Sequence, residues 1–197
     1  MKDSKSPHNW IAKHIAALPK SGIRDFFELV SSMDGVISLG IGEPDFVTPW
    51  HIREATIYAL NTGYTSYTSN LGDLRLRKEV SKYAAANFGI TYNPEDECII
   101  TVGVSEGLDL LLRAVLNPGD EVLYHEPCYV SYAPGIRMTH AVPIPVQTYE
   151  KYDFVLQVEH LEEKVTPRSK VLLLNYPNNP TGAGLTLEDK RKLAEFA

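Results

Sequence analysis

The stretch Leu172-Leu-Leu-Asn175-Tyr-Pro177-Asn-Asn179-Pro180-Thr-Gly182 decides how the rest of the chain is read. Residues 171–174 form a short, wholly apolar run, long enough for a buried strand and too short for a core helix. Two prolines, three asparagines and a glycine then fall within eight positions, which ends the strand in a turn. A strand that stops in side-chain amides presents donors and acceptors at one edge of a sheet. In open α/β sheets the edge at the carboxyl ends of the strands is where ligands bind.

Working outward, strand-like and helix-like runs alternate on both sides of that stretch. Cys98-Ile-Ile-Thr-Val102 reads as a strand, and residues 105–116 as a helix with Leu108, Leu111, Leu112 and Val115 apolar. Asn117-Pro-Gly-Asp is a turn. Strand 121–124 precedes a segment at 129–138, strand 142–146 precedes a helix near 158–165, and strand 170–174 leads into the quoted turn. This order predicts an α/β fold with a mostly parallel sheet and crossover helices. Thr186-Leu-Glu-Asp189 signals one more helix start, with Leu187, Leu193 and Phe196 as its apolar face. That periodic face runs to Ala197 without a closing glycine, proline or basic residue, so the chain is expected to be the N-terminal part of a longer protein.

Toward the amino end, residues 73–88 predict a helix carrying Leu74, Val80, Tyr83 and Ala84 on one stripe. Before it lies a polar loop of eleven residues, Thr62-Gly-Tyr-Thr-Ser-Tyr67-Thr-Ser-Asn-Leu-Gly72, of the length that tends to carry function. Thr48-Pro49 predicts an N-cap followed by a first-turn proline, with the helix continuing to about Leu60. Val36-Ile-Ser-Leu-Gly40-Ile-Gly42-Glu-Pro-Asp45 reads as a strand turning at glycines that admit a ligand close to the backbone. It is not a dinucleotide fingerprint, because the third glycine of that motif is missing and Pro44 stands where a helix should open. Trp10, Ile11, Ile15 and Leu18, then Ile23, Phe26, Phe27 and Val30 after Pro19, predict a helical arm that packs on another domain or subunit. Residues 1–45 are therefore set apart as a helical arm and opening strand, and residues 46–197 as the start of a larger α/β domain.

With 197 residues, 44% of them hydrophobic, the chain is long enough for a real core. A net charge of −6 argues against nucleic acid or an anionic membrane as partner. No apolar run reaches the length of a membrane span, and the N-terminus lacks a signal-peptide core, which predicts a cytoplasmic protein. Cys98 and Cys128 are expected as free structural thiols.

Two positions admit competing chemistry. Gly103-Val104-Ser105-Glu-Gly107 joins strand to helix, where first-turn amides and the Ser105 hydroxyl suit a dianionic phosphate. The same five residues match the G-x-S-x-G of a hydrolase nucleophile elbow. His125, His140 and His160 are the histidines that follow Ser105, and none sits where a triad base belongs. Tyr129, after the turn His125-Glu-Pro127, either stacks on a flat heterocycle or packs half-buried in the core.

Six ordered motifs together resemble one family: Gly42-Glu-Pro-Asp-Phe, Tyr67 in its Thr-Ser-Asn-Leu-Gly loop, Thr-Val-Gly103-Val104-Ser105-Glu-Gly, Asn-Pro-Gly-Asp-Glu-Val, Glu-Pro-Cys-Tyr129-Val-Ser-Tyr and Pro-Asn-Asn179-Pro-Thr-Gly. They resemble the fold-type I pyridoxal-phosphate aminotransferases of class I and II, such as the bacterial aspartate and aromatic enzymes, from about Gly22 onward. The resemblance implies a truncated three-layer large domain and transfer of an amino group between an amino acid and a 2-oxo acid. It implies that Gly103, Val104 and Ser105 hold the pyridoxal 5'-phosphate phosphate, Tyr129 stacks on the ring, and Asn179 donates to the ring phenolate oxygen. Gly42 is implied to contact the substrate carboxylate, and Tyr67 to reach a partner's phosphate in a homodimer with shared sites. Glu126–Pro127 and Asn179–Pro180 are implied to be cis. The Schiff-base lysine and its helpers belong to the family's C-terminal half, so no catalytic residue is assigned here and this stretch alone is expected to be inactive. A C–S lyase, a cyclopropane-forming synthase or a non-catalytic regulatory module on the same scaffold are the alternatives.

Overall fold

The computed structural model describes residues 10–19, 33, 35, 37, 42 and 44–197. They fall in two units, one drawing on Met1–Gly22 and Gly107–Ala197, the other on Ile23–Glu106. In chain order the described helices are α1 (Lys13–Ala16), α2 (Trp50–Asn61), α3 (Leu74–Phe88), α4 (Gly103–Val115), α5 (Tyr132–Met138), α6 (Val158–Glu162) and α7 (Leu187–Phe196). The strands are β1 (Glu121–Glu126), β2 (Val142–Gln147) and β3 (Ser169–Leu173).

In the first unit the three strands pair in parallel in the order β2-β1-β3. Central β1 is two residues longer than the apolar run suggested, and its first five residues are buried. Successive strand side chains point to opposite faces. Val122 and Tyr124 of β1, with Val171 and Leu173 of β3, join a core with Leu112, Leu116, Ile136 and Ala141 under α4 and α5. Leu123 and Leu172 face the other way, into a core with Val146, Leu156, Leu161 and Leu193 beneath α6 and α7. The unit is thus helix, sheet, helix, the expected α/β fold with parallel strands and crossover connections. Leu111, counted with the apolar face of its helix, instead points outward and is exposed. Helix α7 opens on a full capping box, Thr186 Oγ1 accepting from the Asp189 amide at 3.2 Å while the Asp189 carboxylate accepts from the Thr186 amide at 2.8 Å.

The second unit departs further from the sequence reading. Pro49, not Thr48, occupies the cap position of α2, with no side-chain cap bond. Asp73 caps α3 by accepting from the Arg75 amide at 2.8 Å, and Gly89 closes it at φ 69°. The stripe expected on α3 is not its buried face, since Val80 and Tyr83 are exposed. Arg77 is buried instead, donating to the carbonyls of Gly72 (3.3 Å), Glu95 (3.0 Å) and Pro94. The strand expected at residues 98–102 is irregular chain. A strand needs a ladder, and among the described residues this run makes one such bond, from the Ile100 amide to Leu71 at 3.0 Å.

The short α1 packs on α5, with His14 on His140 at 4.3 Å between ring centroids, while Trp10 stays 78% exposed. The second half of the expected arm, at Ile23, Phe26, Phe27 and Val30, lies outside the described residues, as do most residues of the strand expected from Val36. Among the described residues no helix is long and apolar enough to cross a membrane.

Candidate functional site

Because β1 and β3 are neighbours, the segments leaving their carboxyl ends are neighbours too. One runs from Glu126 through Pro127 and Cys128 to Tyr129, the other from Asn175 to Gly182. Asn178 binds them together. It is 5% exposed and its amide nitrogen donates to Pro127 O at 3.0 Å and to Thr181 Oγ1 at 2.9 Å. Its backbone closes the turn by donating to Ala183 O and accepting from the Gly182 amide, each at 2.8 Å. With Asn178 turned inward, its neighbour Asn179 is left exposed. Glu126–Pro127 and Asn179–Pro180 are cis as the family resemblance implied, and so is Tyr176–Pro177, which had not been singled out.

Tyr129 is partly packed and partly exposed. Its ring is 39% exposed and rests edge-on against Tyr132, with centroids 5.7 Å apart at 76°. Tyr132 is fixed in turn by its hydroxyl, which accepts from Asn175 Nδ2 at 2.7 Å. Beside Tyr129 lies a cavity of about 430 Å³, with Tyr124, Glu126, Cys128 and Gln147 on its wall. Glu126 accepts there from the Tyr124 hydroxyl and from Gln147 Nε2, each at 2.8 Å. Burial, reinforced by the Glu126 charge, pushes the Cys128 thiol up to about 11, so at neutral pH it is protonated and a poor nucleophile. Both cysteines are free, as expected.

Behind these loops His125 is fully buried. Its Nε2 accepts from the Asn175 amide at 3.2 Å and its ring stacks on Tyr176 at 4.8 Å. Burial holds its imidazole below the usual value, so it is neutral when it receives that N–H. His140 lies against His14 with the rings tilted at 51°, and His160 lies against Tyr149 and Tyr152. Each of these three histidines, which the sequence offered as candidate bases for Ser105, lies against a neighbouring ring.

The second unit holds the remaining candidates. Gly103 opens α4 at φ +74°, and a Cβ there would meet nothing within 4 Å. Val104 and Ser105 follow in the first turn, both exposed, and first-turn amides have no carbonyl one turn back to donate to. The Glu106 carboxylate takes the Val102 amide, and Thr101 Oγ1 donates to Gly103 O at 2.9 Å. Tyr67 projects fully into solvent from its loop, and Gly42 is exposed, a Cβ there meeting nothing within 4 Å among the described residues. Sequence reading gave no binding role to His125, Asn175, Tyr132 and Asn178, and the structure shows them bracing the two loops. Their signal was weak, since a polar residue beside a strand end reads as turn until its partners are known.

The family model for aminotransferase class I and II matches residues 34–197. The chain is 43% identical to the putative aminotransferase YugH of Bacillus subtilis over 96% of this chain and 49% of that protein. It is 44% identical to aromatic-amino-acid aminotransferase 2 of Thermococcus litoralis, over 90% of this chain and 46% of that one. Among solved structures, Pyrococcus protein-A1 superposes with a TM-score of 0.90 at 40% identity, covering 93% of this chain and 47% of that one. The chain spans about half the length of the curated relatives it matches. On these grounds it belongs to the aminotransferase class I and II family.

Proposed function

We propose that the protein is a pyridoxal-phosphate aminotransferase moving an amino group between an amino acid and a 2-oxo acid, working as a cytoplasmic homodimer. The observation that carries this reading is the pair of tied loops at the carboxyl ends of β1 and β3, one carrying the partly exposed ring of Tyr129 and the other the exposed Asn179. The family is pyridoxal-phosphate dependent, and each donor set suits a part of that molecule. The amides of Val104 and Ser105, the Ser105 hydroxyl and the open Gly103 suit its phosphate. Tyr129 suits the ring face, and Asn179 suits the ring oxygen as a hydrogen-bond donor. When bound, the cofactor supplies an electron sink for the substrate's α-carbon. The residues of this chain bind and orient it, while Gly42 offers backbone to the substrate carboxylate and Tyr67 reaches the phosphate of the partner. On this reading proton transfer at the α-carbon falls to a lysine that these 197 residues do not supply. The domains follow the same reading, residues 1–45 as the arm and 46–197 as the start of the cofactor domain.

The test is the protein expressed from its complete gene and purified with pyridoxal phosphate. A visible absorbance that borohydride bleaches, together with 2-oxo acid formed from an amino acid only when a second 2-oxo acid accepts the amino group, is the expected result. Ser105→Ala and Asn179→Ala are expected to weaken cofactor binding at least tenfold in equilibrium dialysis. Release of free ammonia with no acceptor would instead point to the lyase. Labelling of Ser105 by a fluorophosphonate would restore the hydrolase.

A further inference from the structure

We infer that His125 is a positioning residue: through Asn175 and Tyr176 it holds the turn that presents Asn179. The inference rests on the role proposed for Asn179, but the staple itself is independent of it. Two contacts converge on this buried ring. The Asn175 amide, first of the turn, donates to Nε2 at 3.2 Å. Tyr176, the next residue, lies on the imidazole face at an interplanar angle of 19°. The Tyr176 hydroxyl is itself pinned, accepting from the Leu156 amide at 3.0 Å and donating to Phe154 O at 3.2 Å.

Asn175 then works in two directions. Its backbone is held by His125, while its side chain donates to Tyr132, the ring on which Tyr129 rests. From Tyr176 the turn passes to Asn178, whose bond to Pro127 O closes the circuit on the segment leaving β1. One buried imidazole thus fixes the near end of the loop carrying Asn179, and through Asn175 it supports the ring beneath Tyr129. A purely apolar residue at 125 fills the same space, but it leaves the Asn175 amide without an acceptor, and a buried unpaired donor is costly. Tautomer follows from the same bond: Nε2 receives a proton donor, so the ring hydrogen sits on Nδ1, which has no protein partner among the described residues.

Two variants separate packing from positioning. His125→Phe keeps a flat ring for Tyr176 and removes the acceptor, whereas His125→Gln keeps an acceptor and gives up the ring. Amide hydrogen exchange in the protein without added cofactor is read first. His125→Phe is expected to speed exchange across residues 175–182 at least tenfold while β2 stays as in wild type, and His125→Gln to recover most of that protection. With pyridoxal phosphate added, His125→Phe is expected to raise its Kd severalfold and to change the visible circular dichroism band of the bound cofactor. Unchanged exchange over residues 175–182 in His125→Phe overturns the staple. Faster exchange with an unaltered Kd and visible band, in a protein whose wild type binds the cofactor, overturns the positioning role. Should the wild type bind no pyridoxal phosphate while the exchange difference persists, the staple stands and the aminotransferase reading is what fails.

Discussion

His125 and Arg77 each place a polar side chain where an apolar one would fill the space, and each is explained by the backbone groups around it. Arg77 gathers three carbonyls from the ends of two loops, so its burial organises chain that has no ladder of its own. A helix pattern cannot reveal this, because an arginine among Leu74, Leu76 and Val80 reads as the polar face. His125 makes a prediction that depends on pH. Burial lowers its folded pKa, so between about pH 6.5 and that lower value the unfolded chain binds a proton that the folded chain refuses. Unfolding free energy is therefore expected to fall as the solution is acidified from pH 7.5 to 5.5, by at most about 1.4 kcal/mol per pH unit from this group. Urea unfolding of wild type and His125→Gln at both values checks it. A wild-type slope no steeper than that of the variant would remove His125 as the source.

At the scale of elements, the loop before α3 shows how one glycine decides a connection. Gly72 sits at φ +93°, and a Cβ there would come within 2.6 Å of Ile100 Cβ. Its amide also closes the turn onto Ser69 O at 2.7 Å, and the residue before it pairs with Ile100. Both a left-handed backbone and a close neighbour thus bar a side chain. Gly72→Ala is expected to destabilise the protein by about 1–3 kcal/mol, with Tyr67 and its loop exchanging amide protons faster than wild type. Unchanged thermal stability would show that the loop re-forms without this turn. Element identity was largely legible from sequence here: α4, α7 and the three strands appear where the apolar periods placed them. The run at residues 98–102 was misread because apolar β-type residues specify a strand only when a partner offers its hydrogen bonds.

For the first unit taken whole, the sheet divides the apolar residues into two cores with no shared members. Leu112 anchors one and Leu161 the other, exposed by 1% and 0% respectively. Truncating either to alanine is expected to cost about 2–5 kcal/mol, and the double variant to cost close to the sum, because neither cavity can relax into the other. Chemical denaturation of the two single variants and the double checks this. A double variant markedly less destabilised than the sum would mean the layers rearrange together.

By itself, the sequence determined which segments are strand or helix in the first unit, that the strands run parallel, and which residues stand at their carboxyl ends. Those features follow from local apolar period and turn chemistry, which a chain carries in its neighbouring residues. The six ordered motifs likewise carried the family, since their order and spacing can be read along the chain without knowledge of the fold. Only the tertiary structure decided that β1 lies between β2 and β3, that Asn178 rather than Asn179 turns inward, and that Arg77 and His125 are buried. Each of those outcomes depends on partners 17 to 51 positions away, and no local pattern specifies which distant carbonyl or amide will be there to meet a side chain.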